Sequence, residues 1–212
     1  MILHNKIGRL ALCAGLLGVA PSARAVTSGP WVTVLVTTDG KVDSYQVELT
    51  PGRKGMDFDT KFESSEAGIS INGNLDPDPS ISYGIAVTDF GAPSSFMFVF
   101  STPIVPTGPS TTVGASVVGG FTDPTGDGVT MTPTFGMLQE STVSAPATSM
   151  GVGVGPGFAV GPGAPGAFYS YGPYAAGLVP GPIAAPFWTS LSVTTAFGLS
   201  GGGDIAVFTG YA

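Results

Sequence analysis

Five side chains with oxygen donors cluster in two short turns. Asn74, Asp76 and Asp78 occupy one (GNLDPDP), and Asp123 and Asp127 the other (FTDPTGDG). Calcium is held by carboxylate, amide and backbone oxygens converging on one point, so these five form a candidate calcium site if both turns reach the same pole of the fold. The same residues equally suit turn chemistry, because Asp, Pro and Gly bend the backbone or bond to it at hairpin ends. DPTGDG has a glycine after its last acid but lacks the D-x-D-x-D-G series and the late glutamate of an EF-hand loop. No cofactor other than calcium is suggested.

A second group is aromatic: Trp31, Trp188 and the run Phe168, Tyr169, Tyr171 and Tyr174. Exposed flat rings stack on sugar faces or on each other across an interface. Trp188, Tyr169, Tyr171 and Tyr174 are therefore the candidate ligands for carbohydrate or self-association, with core packing as the competing use. By strict alternation Trp188 shares the polar face of Ser190, Ser192 and Thr194, which places it in the open or beneath a neighbouring loop. Glycoside hydrolysis needs two carboxyl groups roughly 5 to 9 Å apart. Glu48, Glu63, Glu66, Glu140 and the aspartates offer carboxyls, yet no motif selects a pair, and no catalytic residue is assigned. Gly151-Val-Gly-Val-Gly155 has no P-loop lysine and opens no helix, so it is not a nucleotide loop.

The amino-terminal stretch narrows the chemistry further. Residues 1–25 (MILHNKIGRLALCAGLLGVAPSARA) have a basic start, an apolar middle and an A-x-A end, which predicts a cleaved signal peptide and a mature chain from Val26. The apolar run is too short for a permanent span, so the mature chain is expected to have no transmembrane segment. Leu12 before Cys13 places that cysteine in the apolar region rather than in a lipid-anchor motif. Export to the extracellular space, periplasm or cell envelope is the expectation. Cys13 and His4, the sole cysteine and histidine, leave with the signal. The mature chain then has no disulfide, thiol nucleophile or imidazole, which excludes Ser-His-Asp catalysis and the usual zinc sites. Lys41, Arg53, Lys54 and Lys61 remain against fourteen carboxylates, with nothing basic after Lys61. A surface of that sign repels phosphate backbones, so no nucleic-acid partner is expected.

The elements that hold these residues read as β-strands. Val, Thr, Ser, Gly and Phe dominate, no helical period stands out, and turn signals recur at short intervals. Asp39-Gly40 marks a two-residue hairpin. Ile81, Tyr83, Ile85 and Val87 share one face of a strand, and Phe96, Phe98 and Phe100 share one face of a central strand. Asp76-Pro77-Asp78-Pro79 reads as a stiff crossing after a strand that stops at Asn72-Gly73-Asn74, and 103–109 as a proline-rich connection. Residues 151–186 are rich in Gly, Pro and Ala and carry no charge, which predicts a long surface excursion. The expected fold is all-β: one antiparallel β-sandwich or jelly-roll-like domain over 26–212, with roughly eight to ten strands.

The segments GNLDPDPSISYGIAVTDFGAPSSF, STPIVPTGPS, FTDPTGDGVTMTP and SLSVTTAFGLSGGGDIAVFTG resemble a group of uncharacterised bacterial exported proteins of the PEP-CTERM-associated type. The resemblance covers most of the mature chain by general pattern. Members of that group continue to a Val-Pro-Glu-Pro motif, an apolar helix and a basic end, whereas this sequence stops at Tyr211-Ala212. The resemblance implies an extracellular or cell-envelope role associated with exopolysaccharide and biofilm; it implies no activity and no site. The expected function is a non-enzymatic secreted structural, matrix or cell-envelope protein. The alternatives are a polysaccharide-binding module, with or without calcium, and in third place a glycoside hydrolase.

Overall fold

Asp39 and Gly40 both take left-handed φ angles, 51° and 78°, as a tight hairpin between right-twisted strands requires. They join β1 (Trp31–Thr38) to β2 (Lys41–Gln46), with Thr38 opposite Lys41. The computed structural model describes residues 29–107, 112–145, 148–180 and 188–212. The expected signal segment and the end of the Gly/Pro-rich stretch, 181–186, lie outside the described residues.

Among the described residues the chain forms fifteen strands and no helix, where roughly eight to ten strands were expected. From β2 the chain crosses to a second sheet for β3 (Thr50–Gly52), β4 (Gly55–Glu63), β5 (Ala67–Asp76) and β6 (Ser80–Asp89). β7 (Ser94–Thr107) returns to the first sheet and β8 (Thr112–Asp123) to the second. β9 (Val129–Pro133), β10 (Gln139–Ala145), β11 (Thr148–Val154) and β12 (Phe158–Val160) belong to the first. β13 (Ala167–Pro180) joins the second sheet, β14 (Trp188–Leu199) the first and β15 (Asp204–Tyr211) the second. The first sheet runs β11-β10-β14-β7-β1-β2, with β9 on β14 and β12 on β9; the second runs β13-β8-β15-β6-β5-β4-β3. Every pairing is antiparallel, and the two sheets pack face to face as a β-sandwich.

Period-two alternation sends alternate side chains of each strand into the space between the sheets. Val32, Val34 and Val36 of β1 and Phe96, Phe98 and Phe100 of the central β7 face Ile81, Tyr83, Ile85 and Val87 of β6. Rings bridge the sheets: Phe100 stacks on Tyr83 at 4.8 Å and on Phe58 at 5.5 Å, and Phe197 meets Phe208 edge-on at 5.2 Å. Burying each such ring contributes about 1.5–3 kcal/mol, and a well-placed aromatic pair about 0.5–1.5 kcal/mol more.

Several segments pair where a break or a loop was expected. β5 runs through Asn72-Gly73-Asn74 to Asp76, and Asp76 pairs with Ser80, so Pro77-Asp78-Pro79 is a hairpin tip rather than a crossing. β7 continues past Pro103 because β1 ends opposite Ser101, leaving later residues an open edge that tolerates proline. The Gly/Pro-rich stretch, expected as an excursion, supplies β11, β12 and β13 up to Pro180. Two features permit this. β13 is an edge strand, and its register shifts between Tyr171 and Tyr174 and between Ala176 and Val179 absorb the Gly-Pro step. Large neighbours also lie over glycines of the stretch, with Met137 across Gly153 and Tyr171 across Gly155.

Candidate metal centre

Asp89, Asp123 and Asp204 each continue the inward-facing series of their strand. Asp89 follows Ile85 and Val87 on β6, Asp123 follows Val117 and Phe121 on β8, and Asp204 precedes Ala206 and Phe208 on β15. The second sheet orders these strands β8-β15-β6. Asp204 lies directly opposite Asp89, and Ile205 opposite Thr122, which brings Asp123 beside Asp204 on the other flank. The result is a row of three aspartates across three neighbouring strands at one end of the core, each at 0% exposure. Directly opposed residues on one sheet face have Cβ atoms about 4.5–5.5 Å apart, and like charges there repel.

The loops around the row hold each carboxylate differently. In the turn after β8, Gly126 and Gly128 take φ angles of 83° and 98°, and their amides donate to Asp123 at 2.6 and 2.7 Å. Thr125 Oγ1 donates to Asp123 at 3.3 Å and also to the exposed Asp127. Asp89 Oδ2 accepts the Ser94 amide at 2.9 Å, and its backbone oxygen accepts the Gly203 amide at 2.7 Å. Asp204 Oδ2 accepts the Ser200 hydroxyl. The remaining oxygens, Oδ1 of Asp89 and Oδ1 of Asp204, are buried with no donor among the described residues. Asp123, Asp127 and Asp204 each present an oxygen within 4.8 Å of the others.

Burial pushes the Asp89 carboxyl above the usual carboxylate range; the Ser94 bonds oppose this, and the charges of Asp204 and Glu66 add to it. Burial likewise raises Asp204, against the Ser200 bond and with Asp123 and Asp127 reinforcing the rise. Asp123 goes the other way. Burial would raise it, but the Gly126 and Gly128 amides and Thr125 outweigh that and hold it low.

No family model, curated protein or solved structure matches this chain.

The five residues singled out from the sequence divide between two poles. Asp76 and Asp78 lie at the tip of the β5–β6 hairpin, and β6 separates that tip from Asp89 by about 30 Å at the usual rise per residue. The two turns therefore do not meet, because β6 and β8 carry them to opposite ends of the second sheet. At the far pole Asp76 Oδ1 accepts the Asp78 amide at 2.9 Å, an Asx turn, and Asn74 Nδ2 donates to Asp57 Oδ1 at 2.6 Å across the β4–β5 ladder. Those three residues do turn and ladder chemistry. Asp123 and Asp127 keep company with Asp204, which the turn motifs did not mark. Its signal was phase: an aspartate in step with the buried positions of its own strand, as with Asp89.

The candidate sugar-stacking rings also divide. Trp188 has 0% exposure and cannot meet a ligand. Ladder register shifts between Trp188 and Ser190; alternation fails there, and the indole turns inward instead of joining the polar face. Tyr171 is buried too, its hydroxyl donating to Pro156 O at 2.6 Å. Tyr169 and Tyr174 are half-buried, Trp31 likewise, and Phe168 stands 65% exposed. Glu48, Glu63, Glu66 and Glu140 are all exposed. Two concavities illustrate the described surface; the first, of about 270 Å³, is lined by Ser94, Thr130, Thr132 and Ser200 among others, without a titratable side chain. The second, about 200 Å³, has Glu140 as its single carboxylate beside Phe135 and Met137.

Proposed function

We propose that the protein is a non-enzymatic structural component of an extracellular matrix or cell envelope, exported by its amino-terminal segment, that associates through one flank of its sandwich. The observation that carries this reading is the asymmetry of the sheet edges. β11 and β13 end the two sheets on the same flank and lie against each other. No charged residue occurs between Glu140 and Asp204, so neither edge has one. On the opposite flank β2 carries Lys41 and Asp43, and the β3–β4 turn carries Arg53 and Lys54. Charged side chains, lysine above all, are a common device that stops strand edges from pairing with other molecules. One flank has that device and the other lacks it. Phe168, with half-buried Tyr169 and Tyr174 nearby on β13, adds aromatic surface to the uncharged side. The resemblance to exported PEP-CTERM-type proteins supports the same placement.

Sedimentation and light scattering over a concentration series test this. Assembly that grows with concentration and is suppressed by Ser170→Lys, an exposed position on β13, is the expected result. A protein that stays monomeric throughout overturns it. The second reading, a polysaccharide-binding module, retains Tyr169 and Tyr174 as its rings and loses Trp188 and Tyr171 to the core. Saturable binding on a glycan array, abolished by Tyr169→Ala in a protein that remains monomeric, would replace the first reading with the second.

A further inference from the structure

We propose that the pole built by Asp123, Asp127 and Asp204 is a calcium site. Three observations converge on a hard divalent cation. The carboxylate oxygens of these residues lie within 4.8 Å of one another. Two ligands on opposite sides of a calcium ion are separated by about 4.6–5.2 Å, so that spread fits inside one coordination sphere. Independently, Asp204 is fully buried, and only one of its two oxygens is taken, by the Ser200 hydroxyl. Its Oδ1 has no donor among the described residues, and neither has Oδ1 of the buried Asp89 directly across the ladder. A buried carboxylate oxygen without a partner is costly, and a row of them in register more so.

Among the described residues no basic side chain pairs with this row. Nothing basic follows Lys61, and the single ion pair among the described residues joins Lys41 to Asp43 at the other flank. An arginine or lysine beside such a row would make it a structural ion-pair network; with none there among the described residues, a bound cation supplies the neutralising charge. Carboxylate and hydroxyl oxygens, with neither sulfur nor imidazole, suit a hard cation such as calcium and disfavour zinc and copper. Asp123 and Asp127 bring the β8–β9 turn, and Asp204 brings the start of β15 beside the end of β6. The ion therefore ties together ends of strands that the ladder alone leaves adjacent but mutually repelling. Asp89 adds negative charge behind Asp204.

The test is thermal unfolding of the purified full chain after treatment with chelator, titrated with calcium or magnesium to about 10 mM, beyond the affinity range of extracellular calcium modules. A calcium excess of about a hundredfold over Kd should raise Tm by about 5–10 °C for a chain of this size, with a smaller response to magnesium. Asp204→Asn should remove the shift. Because that variant alters a buried group, Asp127→Asn provides a second probe at an exposed turn position and should also weaken the shift. Asp76→Asn with Asp78→Asn, at the opposite pole, should leave it whole. The proposal is overturned by a wild-type Tm indifferent to calcium, by an equal response to magnesium, or by an undiminished shift in folded Asp127→Asn.

Discussion

Tyr83 donates its hydroxyl proton to Gln139 Oε1 at 2.8 Å, joining the second sheet to the first through the middle of the core. Thr195 Oγ1 donates to the same phenol at 2.8 Å, and Gln139 Nε2 donates to Ser141 Oγ and to the Tyr211 backbone oxygen. Four strands thus meet on one polar network, apart from the buried aspartate row. Apolar contact alone leaves two sheets free to slide, whereas these bonds are satisfied in a single alignment.

Tyr83→Phe keeps the ring that stacks on Phe100 but removes the hydroxyl from two partners. Leaving Gln139 Oε1 and the Thr195 hydroxyl without this bond should cost about 1–3 kcal/mol. Urea unfolding should show a lower midpoint with an unchanged slope. An unaltered midpoint would mean that the network contributes nothing to stability.

Alkaline pH should weaken the fold in a defined direction. Burial raises the phenol of Tyr83 above its ordinary value, against the Thr195 bond, and burial also raises Tyr171, with Tyr174 and Tyr83 adding to it. Unfolded tyrosine ionises near pH ~10, so above that pH the unfolded chain loses protons that the folded chain keeps. The contribution of these two groups is whole below pH ~10 and drains away as pH rises further. Absorbance at the phenolate band should show a late phase that coincides with loss of fold and shrinks in Tyr83→Phe. Complete tyrosine ionisation in a protein that stays folded would contradict it.

Trp188 should behave as a core residue. Trp188→Ala is expected to cost about 3–5 kcal/mol, as for other buried large-to-small changes. Trp188→Phe should cost much less, because it keeps apolar volume and removes an indole Nε1 that has no acceptor among the described residues. Denaturation of the two variants checks the order. Efficient quenching of Trp188 emission by a polar quencher in folded Trp31→Phe protein would show the ring is not buried.

Gly210 lies directly under the ring of Tyr83, so a Cβ there would collide with Cζ, Oη and Cε1 of that ring. Gly210→Ala should therefore push the phenol away from Gln139 and cost about 1–3 kcal/mol. Its effect should couple with that of Gln139→Ala by about 0.5 kcal/mol or more in a double-mutant cycle, since both act on one bond. Strict additivity would separate the glycine from the network.

Alternation is a local property, and it was legible. Ile81 to Val87, Phe96 to Phe100 and Asp39-Gly40 can be read as strand, strand and hairpin from neighbouring residues alone, because the side-chain period of two and the left-handed preference of the turn operate within a few residues. The scarcity of basic residues after Lys61 is likewise a fact of sequence, and it already sets the sign of any partner for the acidic pole. The Gly/Pro-rich stretch reads as an excursion yet forms strands, because composition reports only the intrinsic cost of a strand. It is silent on whether an edge position, a bulge and a covering ring will offset that cost.

Which acids become neighbours was decided by tertiary structure. Asp76-Pro-Asp78 and Asp123 to Asp127 look alike as turns, yet only the second belongs to a cluster, since strand order β8-β15-β6 and its register place Asp204 beside Asp123. Ladder register depends on residues far apart in the chain, and a one-residue slip would turn Asp204 outward. The irregular register at Trp188 decided its fate in the same way, moving a ring from the polar face into the core. Sequence determined that this chain makes strands and which side chains alternate along them; the pairing of distant strands determined which of those side chains meet.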